Sequence, residues 1–131
     1  MMDIQIGKSI TVTTKVDKTN TALAVGSGGL EVFGTPMMIA LMEKSAYKVL
    51  EDSLGVGQTS VGIKLNVEHI SASPLGADIS AMATITAVDG RKVSFDLTAR
   101  DNSGMIGKGT HDRFVIDSEK FMNKVKEKAM V

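Results

Sequence analysis

Cysteine is absent from the 131-residue chain, and so is tryptophan. Without cysteine there is no disulfide scaffold and no thiolate zinc site. Aromatic residues are scarce, with one tyrosine and four phenylalanines. An excess of either charge is lacking too: 15 Lys and Arg balance 15 Asp and Glu. A chain with neither a basic field nor stacking aromatics is a poor nucleic-acid binder. No apolar run approaches the ~18 residues of a membrane span. The N-terminal MMDIQIGKSITV lacks the charged-then-apolar pattern of a secretion signal. These absences predict a cytoplasmic protein with neither membrane nor nucleic acid as partner. The length suits one domain over residues 1–131, large enough to bury a core without staples.

What the chain does have is a change of hydrophobic period. Residues 9–16, SITVTTKV, alternate, as in a half-buried strand. A glycine-rich stretch, VGSGGLEVFG, follows and reads as a mobile loop or lid. It contains neither the full phosphate-loop nor the dinucleotide-binding glycine pattern. Then TPMMIALMEKSAYKVL opens a helix running to about Leu54, with Thr35 as N-cap and Pro36 in the first turn. From Gly57 onward the period is 2. Val61, Ile63, Leu65 and Val67 mark one strand, Ile79, Ala81, Ala83 and Ile85 a second, and Val93, Phe95, Leu97 and Ala99 a third. Asp89-Gly90 signals a tight hairpin between the second and third. A last strand covers 105–116, and an amphipathic helix over about 118–129 closes the chain, capped by Asp117 or Ser118. One strand, a long helix and four strands on short turns predict an α+β fold, a single antiparallel sheet curled around one central helix.

Three polar residues break this pattern. At ~100° per residue, Glu43 falls on the helix side of Ile39, Ala46 and Leu50, away from Lys44, Lys48, Glu51 and Asp52. A carboxylate on an apolar face is costly unless partnered or facing a cavity. His69 continues the register of Val61 to Val67 and is expected to face the same core as Glu43, so the two form a candidate acid–base couple. Thr35 sits where the orphan N–H groups of the helix could hold an oxyanion. It lies eight residues, or ~12 Å, from Glu43 along the helix, too far to touch it. A joint site therefore needs a substrate across it or a second copy of the chain. His111, in GTHDR, is expected to be structural or at the solvent edge. The two histidines lack ligand spacing, so no metal site is expected, and there is no G-x-S-x-G nucleophile elbow.

GTPMMIALMEKSAYKVLE, TSVGIKLNVEHISASPLGADISAMATITAVDGRKVSFDLTARD and GKGTHDRFVID, in this order, resemble the hot-dog thioesterases of the fluoroacetyl-CoA thioesterase type, over about residues 30–118. The resemblance implies hydrolysis of an acyl-CoA thioester at a cleft between the subunits of a homodimer, with pairing into tetramers left open. It implies no cofactor beyond the coenzyme A of the substrate. The family's catalytic Thr, Glu and His would fall on Thr35, Glu43 and His69. Gly62 matches a glycine near the thioester, Arg113 a basic position serving CoA or the dimer, and Phe33 is the aromatic near the acyl group. The stretch before the helix carries no further bulky aromatic, which favours a general short-chain acyl group over a fluorinated one. A hot-dog hydratase or dehydratase and a non-catalytic acyl-CoA binding module are the alternatives. Glu43 is expected to act either as nucleophile or as base.

Overall fold

The computed structural model describes residues 3–130. The alternating stretches form five strands: β1 (Ser9–Lys15), β2 (Gln58–His69), β3 (Asp78–Asp89), β4 (Lys92–Asp101) and β5 (Gly104–Asp117). They make one antiparallel sheet in the order β1-β3-β4-β5-β2. Both hairpins behave as their sequences require. Asp89 pairs with Lys92 across a two-residue turn, in which Gly90 takes a positive φ of 62°. Asp101 pairs with Gly104, and its carboxylate accepts from the N–H groups of Ser103 (2.8 Å) and Gly104 (3.2 Å) and from the Ser73 hydroxyl (2.7 Å).

The glycine-rich segment contains a short helix, α1 (Ala22–Val25), capped by the Thr21 side chain at its start and by left-handed Gly26 at its end. The long helix, α2, spans Thr35–Glu51 and stops three residues short of the expected end. Its N-cap is Gly34 rather than Thr35, so the Thr35 hydroxyl is free for another partner. A Cβ on Gly34 would come within 3.2–3.3 Å of the backbone of Thr21 and Ala22, tighter than side chains usually tolerate. Glycine lets the start of α2 press against α1. A third helix, α3 (Ser118–Glu127), is capped by Asp117, whose carboxylate accepts from Lys120 N–H at 3.2 Å.

The core lies between α2 and one face of the sheet. Met38, Met42, Ala46, Val49 and Leu50 pack against Ile79, Ala81, Ala83 and Ile85 of β3 and Val93, Phe95, Leu97 and Ala99 of β4. Burying a large apolar side chain in such a core contributes about 1.5–3 kcal/mol. The alanines let the helix approach closely, and Gly107 on β5 does the same: a Cβ there would stand 2.5 Å from Met38 Sδ.

The register of β2 differs from the simple alternation. Gly62 pairs with Arg113 and Lys64 with Asp112, so Ile63 is an extra residue, a β-bulge. The bulge reverses side-chain parity. Before it, the even positions Ser60 and Gly62 face the same way as buried Val115 and Arg113; after it, the odd positions Leu65, Val67 and His69 do. Val61 and Ile63 therefore leave the expected face, and Ile63 is half exposed. Among the described residues no helix is long and apolar enough to cross a membrane.

Candidate active site

Thr35 and His69 meet. Thr35 is the first residue of α2, His69 the last of β2, and Thr35 Oγ1 lies 2.7 Å from His69 Nδ1. The imidazole is half-buried, while its Nε2 is buried and, among the described residues, the one side-chain N or O so placed without a hydrogen-bond partner. Burial pushes the His69 pKa below its ordinary 6.5, partly offset by a backbone contact at Ser71, so the ring is neutral at pH 7. The pair opens onto a cavity of about 290 Å³ whose walls include Phe33, Ile70, Ser71 and Ala72. Phe33 is buried and separates this cavity from a smaller apolar one of about 190 Å³ beside Met37, Ala40 and Leu41. A hydroxyl hydrogen-bonded to a neutral imidazole at a helix N-terminus combines a proton acceptor with the positive end of a dipole.

Glu43 belongs to a second cluster. It sits on the flank of the buried stripe of α2, not within it, with its side chain 43% exposed. The expected couple with His69 does not form within one chain. The cause is distance along β2: Gly62 faces Glu43, and His69, on the same face of the strand, lies seven residues farther along it. Glu43, Gly62 and His111 line a cavity of about 260 Å³, and Arg113 approaches Glu43 from within the fold. A Cβ on Gly62 would stand 3.0 Å from Glu43 Oε2 and 3.2 Å from His111 Cε1. Glycine thus lets the carboxylate and the imidazole come this close to the β2 backbone.

Arg113 is buried and tightly held. Its Nε donates to Ser60 Oγ (2.8 Å) and its Nη2 to the Ser60 carbonyl (2.9 Å). Its Nη1 lies 3.3 Å from His111 Nε2 and 3.9 Å from Glu43 Oε2, and Tyr47 lies 5.8 Å from the guanidinium carbon. Burial lowers the Arg113 pKa, while Glu43 and Tyr47 oppose that shift. His111 is not at the solvent edge: it is 2% exposed, beside Phe95, with Nδ1 donating to the Lys64 carbonyl at 2.8 Å. Burial pushes its pKa below 6.5 as well. One signal in the sequence pointed to it. His111 and Arg113 share a strand face with Gly107 and Gly109, and small residues mark the face a helix approaches.

Comparison with known proteins identifies the family. The family described as fluoroacetyl-CoA-specific thioesterase matches residues 16–119. This chain belongs to that family. Fluoroacetyl-CoA thioesterase of Streptantibioticus cattleyicolor is 39% identical over 98 residues, covering 75% of this chain and 70% of that protein. A solved structure of a fluoroacetyl-CoA thioesterase superposes with a TM-score of 0.90 at 32% identity, covering 96% of this chain and 98% of the other. A hot-dog-like protein from Thermanaerovibrio acidaminovorans gives a TM-score of 0.86 at 26% identity, with 94% and 91% covered. The fold is the hot-dog fold, and the family consists of thioester hydrolases.

Proposed function

We propose that this member of the thioesterase family hydrolyses a short-chain acyl-CoA to the free acid and coenzyme A, at clefts shared by two subunits. The observation that carries the reading is the Thr35–His69 contact at the start of α2, with the unpartnered His69 Nε2 beside a cavity. The cytoplasmic setting follows from the same reading, since acyl-CoA esters are its substrates.

The shared cleft is argued from β2. It is a sheet edge of 12 residues, and its Ile63 and Leu65 are exposed apolar side chains. Such an edge is a template for another strand. Two copies of β2 paired antiparallel about a two-fold axis at Asn66, with the bulge at Ile63 taking up one residue, would set His69 opposite the partner subunit's Gly62. Within one strand these positions are about 23 Å apart; across a pair of strands the spacing is about 4.8 Å. The pairing brings Thr35 and His69 of one subunit toward the partner subunit's Glu43, Gly62 and Arg113.

In this site the thioester carbonyl lies at the N-terminus of α2, with the acyl group in the cavity beside Gly62 and bounded by Phe33. Arg113 contacts the substrate. His69, through Thr35, takes a proton from the attacking water, and that proton goes to the CoA sulfur. Two routes share this geometry. In one, Glu43 activates water, which attacks the carbonyl carbon. In the other, the Glu43 carboxylate attacks first and expels CoA as its thiolate; water then cleaves the resulting anhydride, and its proton passes through His69 to that thiolate. Single-turnover experiments separate them: oxygen-18 from water entering Glu43, or trapping of an acylated Glu43 by hydroxylamine, supports the second route, and label in the released acid with no trapped acyl-enzyme supports the first.

The test of the function is thiol release from a panel of acyl-CoA esters, with Glu43→Ala and His69→Ala as controls. The reading expects release from at least one ester and a large loss in both variants. Binding of acyl-CoA without release would make the protein a binding module, and water addition to an enoyl ester would make it a hydratase.

A further inference from the structure

His111 has no part in the reaction outlined above, yet it is more buried than any of the three proposed catalytic residues. Its two ring nitrogens are assigned by their partners. Nδ1 lies 2.8 Å from the Lys64 carbonyl, which accepts and cannot donate, so Nδ1 carries the proton. In the neutral ring Nε2 is then a bare lone pair. Facing it at 3.3 Å is Nη1 of Arg113, which donates and cannot accept.

This contact decides where the guanidinium points. Nε and Nη2 of Arg113 are taken by Ser60. Nη1 gives one N–H to His111 and has one left. It stands 3.6 Å from the place a Cβ on Gly62 would occupy and 3.9 Å from Glu43 Oε2, beyond hydrogen-bond reach of the carboxylate. The remaining N–H therefore opens on the space beside Gly62 and Glu43. We propose that His111 is a positioning residue: its Nε2 lone pair holds the Arg113 guanidinium so that one charged N–H faces the acyl group. The bulge at Ile63 is part of the same device, because the Lys64 carbonyl that fixes the His111 tautomer lies directly after it. The proposal rests on the acyl-CoA reading for the role of Arg113, not for the contact itself.

A merely structural role is the competing account, in which His111 pins the bulge through Lys64 and Arg113 is incidental. Two variants divide the two contacts. His111→Asn keeps a donor at the position of Nδ1 and loses the acceptor for Arg113. His111→Gln places a carbonyl near the position of Nε2 and loses the donor to Lys64. Positioning through Arg113 predicts that H111Q stays within about threefold of the parent kcat/KM, while H111N falls at least about tenfold, as expected for losing a hydrogen bond to a charged group. It also predicts that the gap between H111Q and H111N closes in an Arg113→Gln background. An H111N enzyme as active as H111Q, or a gap that survives in that background, overturns it. Nitrogen-15 NMR of the unaltered protein tests the contact without activity or folding of any variant. The expected result is a neutral His111 with its proton on Nδ1 and an Arg113 guanidinium whose rotation quickens when acid protonates that ring. A proton on Nε2, or guanidinium rotation indifferent to the ring, overturns the proposal. If the parent releases no thiol from any ester, the acyl-CoA reading fails, and the NMR result still decides the role of His111.

Discussion

Thr35 and His69 lie 34 residues apart in sequence, and their side chains meet at 2.7 Å. The contact exists because Gly34, not Thr35, caps α2, leaving the hydroxyl free to reach the end of β2. In the proposed reaction this pair moves the proton. Thr35→Val removes the hydroxyl at constant shape, and His69→Ala removes the base. Each is expected to lower kcat/KM for thiol release by about 10²–10⁴-fold, the usual contribution of a positioned acid–base group. Thr35→Ser keeps a hydroxyl and should lose less than Thr35→Val.

Burial lowers the proton affinity of both His69 and His111. Each is neutral at pH 7, and the proposed reaction needs both neutral. The rate should therefore be flat through neutrality and fall on the acid side, at pH values below the ordinary histidine value of 6.5. Stability follows the same sign. Its histidine contribution is complete above the unfolded pKa and is lost as pH falls through the lower folded values. A pH–rate profile and thermal melts across pH 5–8 check both statements. A rate that rises as pH drops from 7 would contradict them.

Gly62→Ala crowds the Glu43 carboxylate at the mouth of the cavity it lines. Its Cβ meets Glu43 Oε2, the far end of a flexible side chain, and His111 Cε1, on a ring that is locked. The fold should tolerate this at a cost of about 1–3 kcal/mol. Activity should drop far more than stability, and most for the longer acyl groups that must share the cavity. Melting temperature and kcat/KM measured on one preparation separate the two effects.

Gly107→Ala tests the packing of α2 on the sheet, at the register partner of His69. The added methyl would stand 2.5 Å from Met38 Sδ, 2.7 Å from Met38 Cε and 3.1 Å from the Glu68 carbonyl. Met38 is fully buried and has little room to retreat. A loss of about 1–3 kcal/mol is expected, read as a lower urea midpoint with an unchanged slope. Met38→Ala in the same chain should recover part of it.

Most of the fold was legible in the sequence, for physical reasons that differ by element. Asp89-Gly90 announces its hairpin because the turn demands a positive φ, and the 3.6-to-2 change of period after α2 separates helix from sheet. The register of β2 was not legible. Ile63 continues a perfect apolar alternation, and nothing local marks it as the extra residue. Only its pairing with β5 shows the bulge, and with it the inward turn of Gly62. Thr35 and His69 were each legible as candidates, but their mutual contact is long-range. Glu43 was read as facing His69 because the simple alternation carries both to one face. For His111 the sequence leaves a structural or a solvent-edge place open: Gly107 and Gly109 mark a face that can be approached closely, and only the packing of α2 shows that His111 is buried.

The central claim is that Thr35 and His69 of one subunit work with the partner subunit's Glu43. Complementation between inactive variants tests it most directly. His69→Ala and Glu43→Ala proteins are each assayed alone, then mixed, unfolded and refolded together. In a hybrid dimer, a shared site restores one intact His69–Glu43 combination of the two. Random pairing should then recover about a quarter of the parent thiol release. Recovery near that level supports the shared cleft. A mixture that forms hybrid dimers yet stays as inactive as its components would mean that each site is built from one chain, and the account would be wrong.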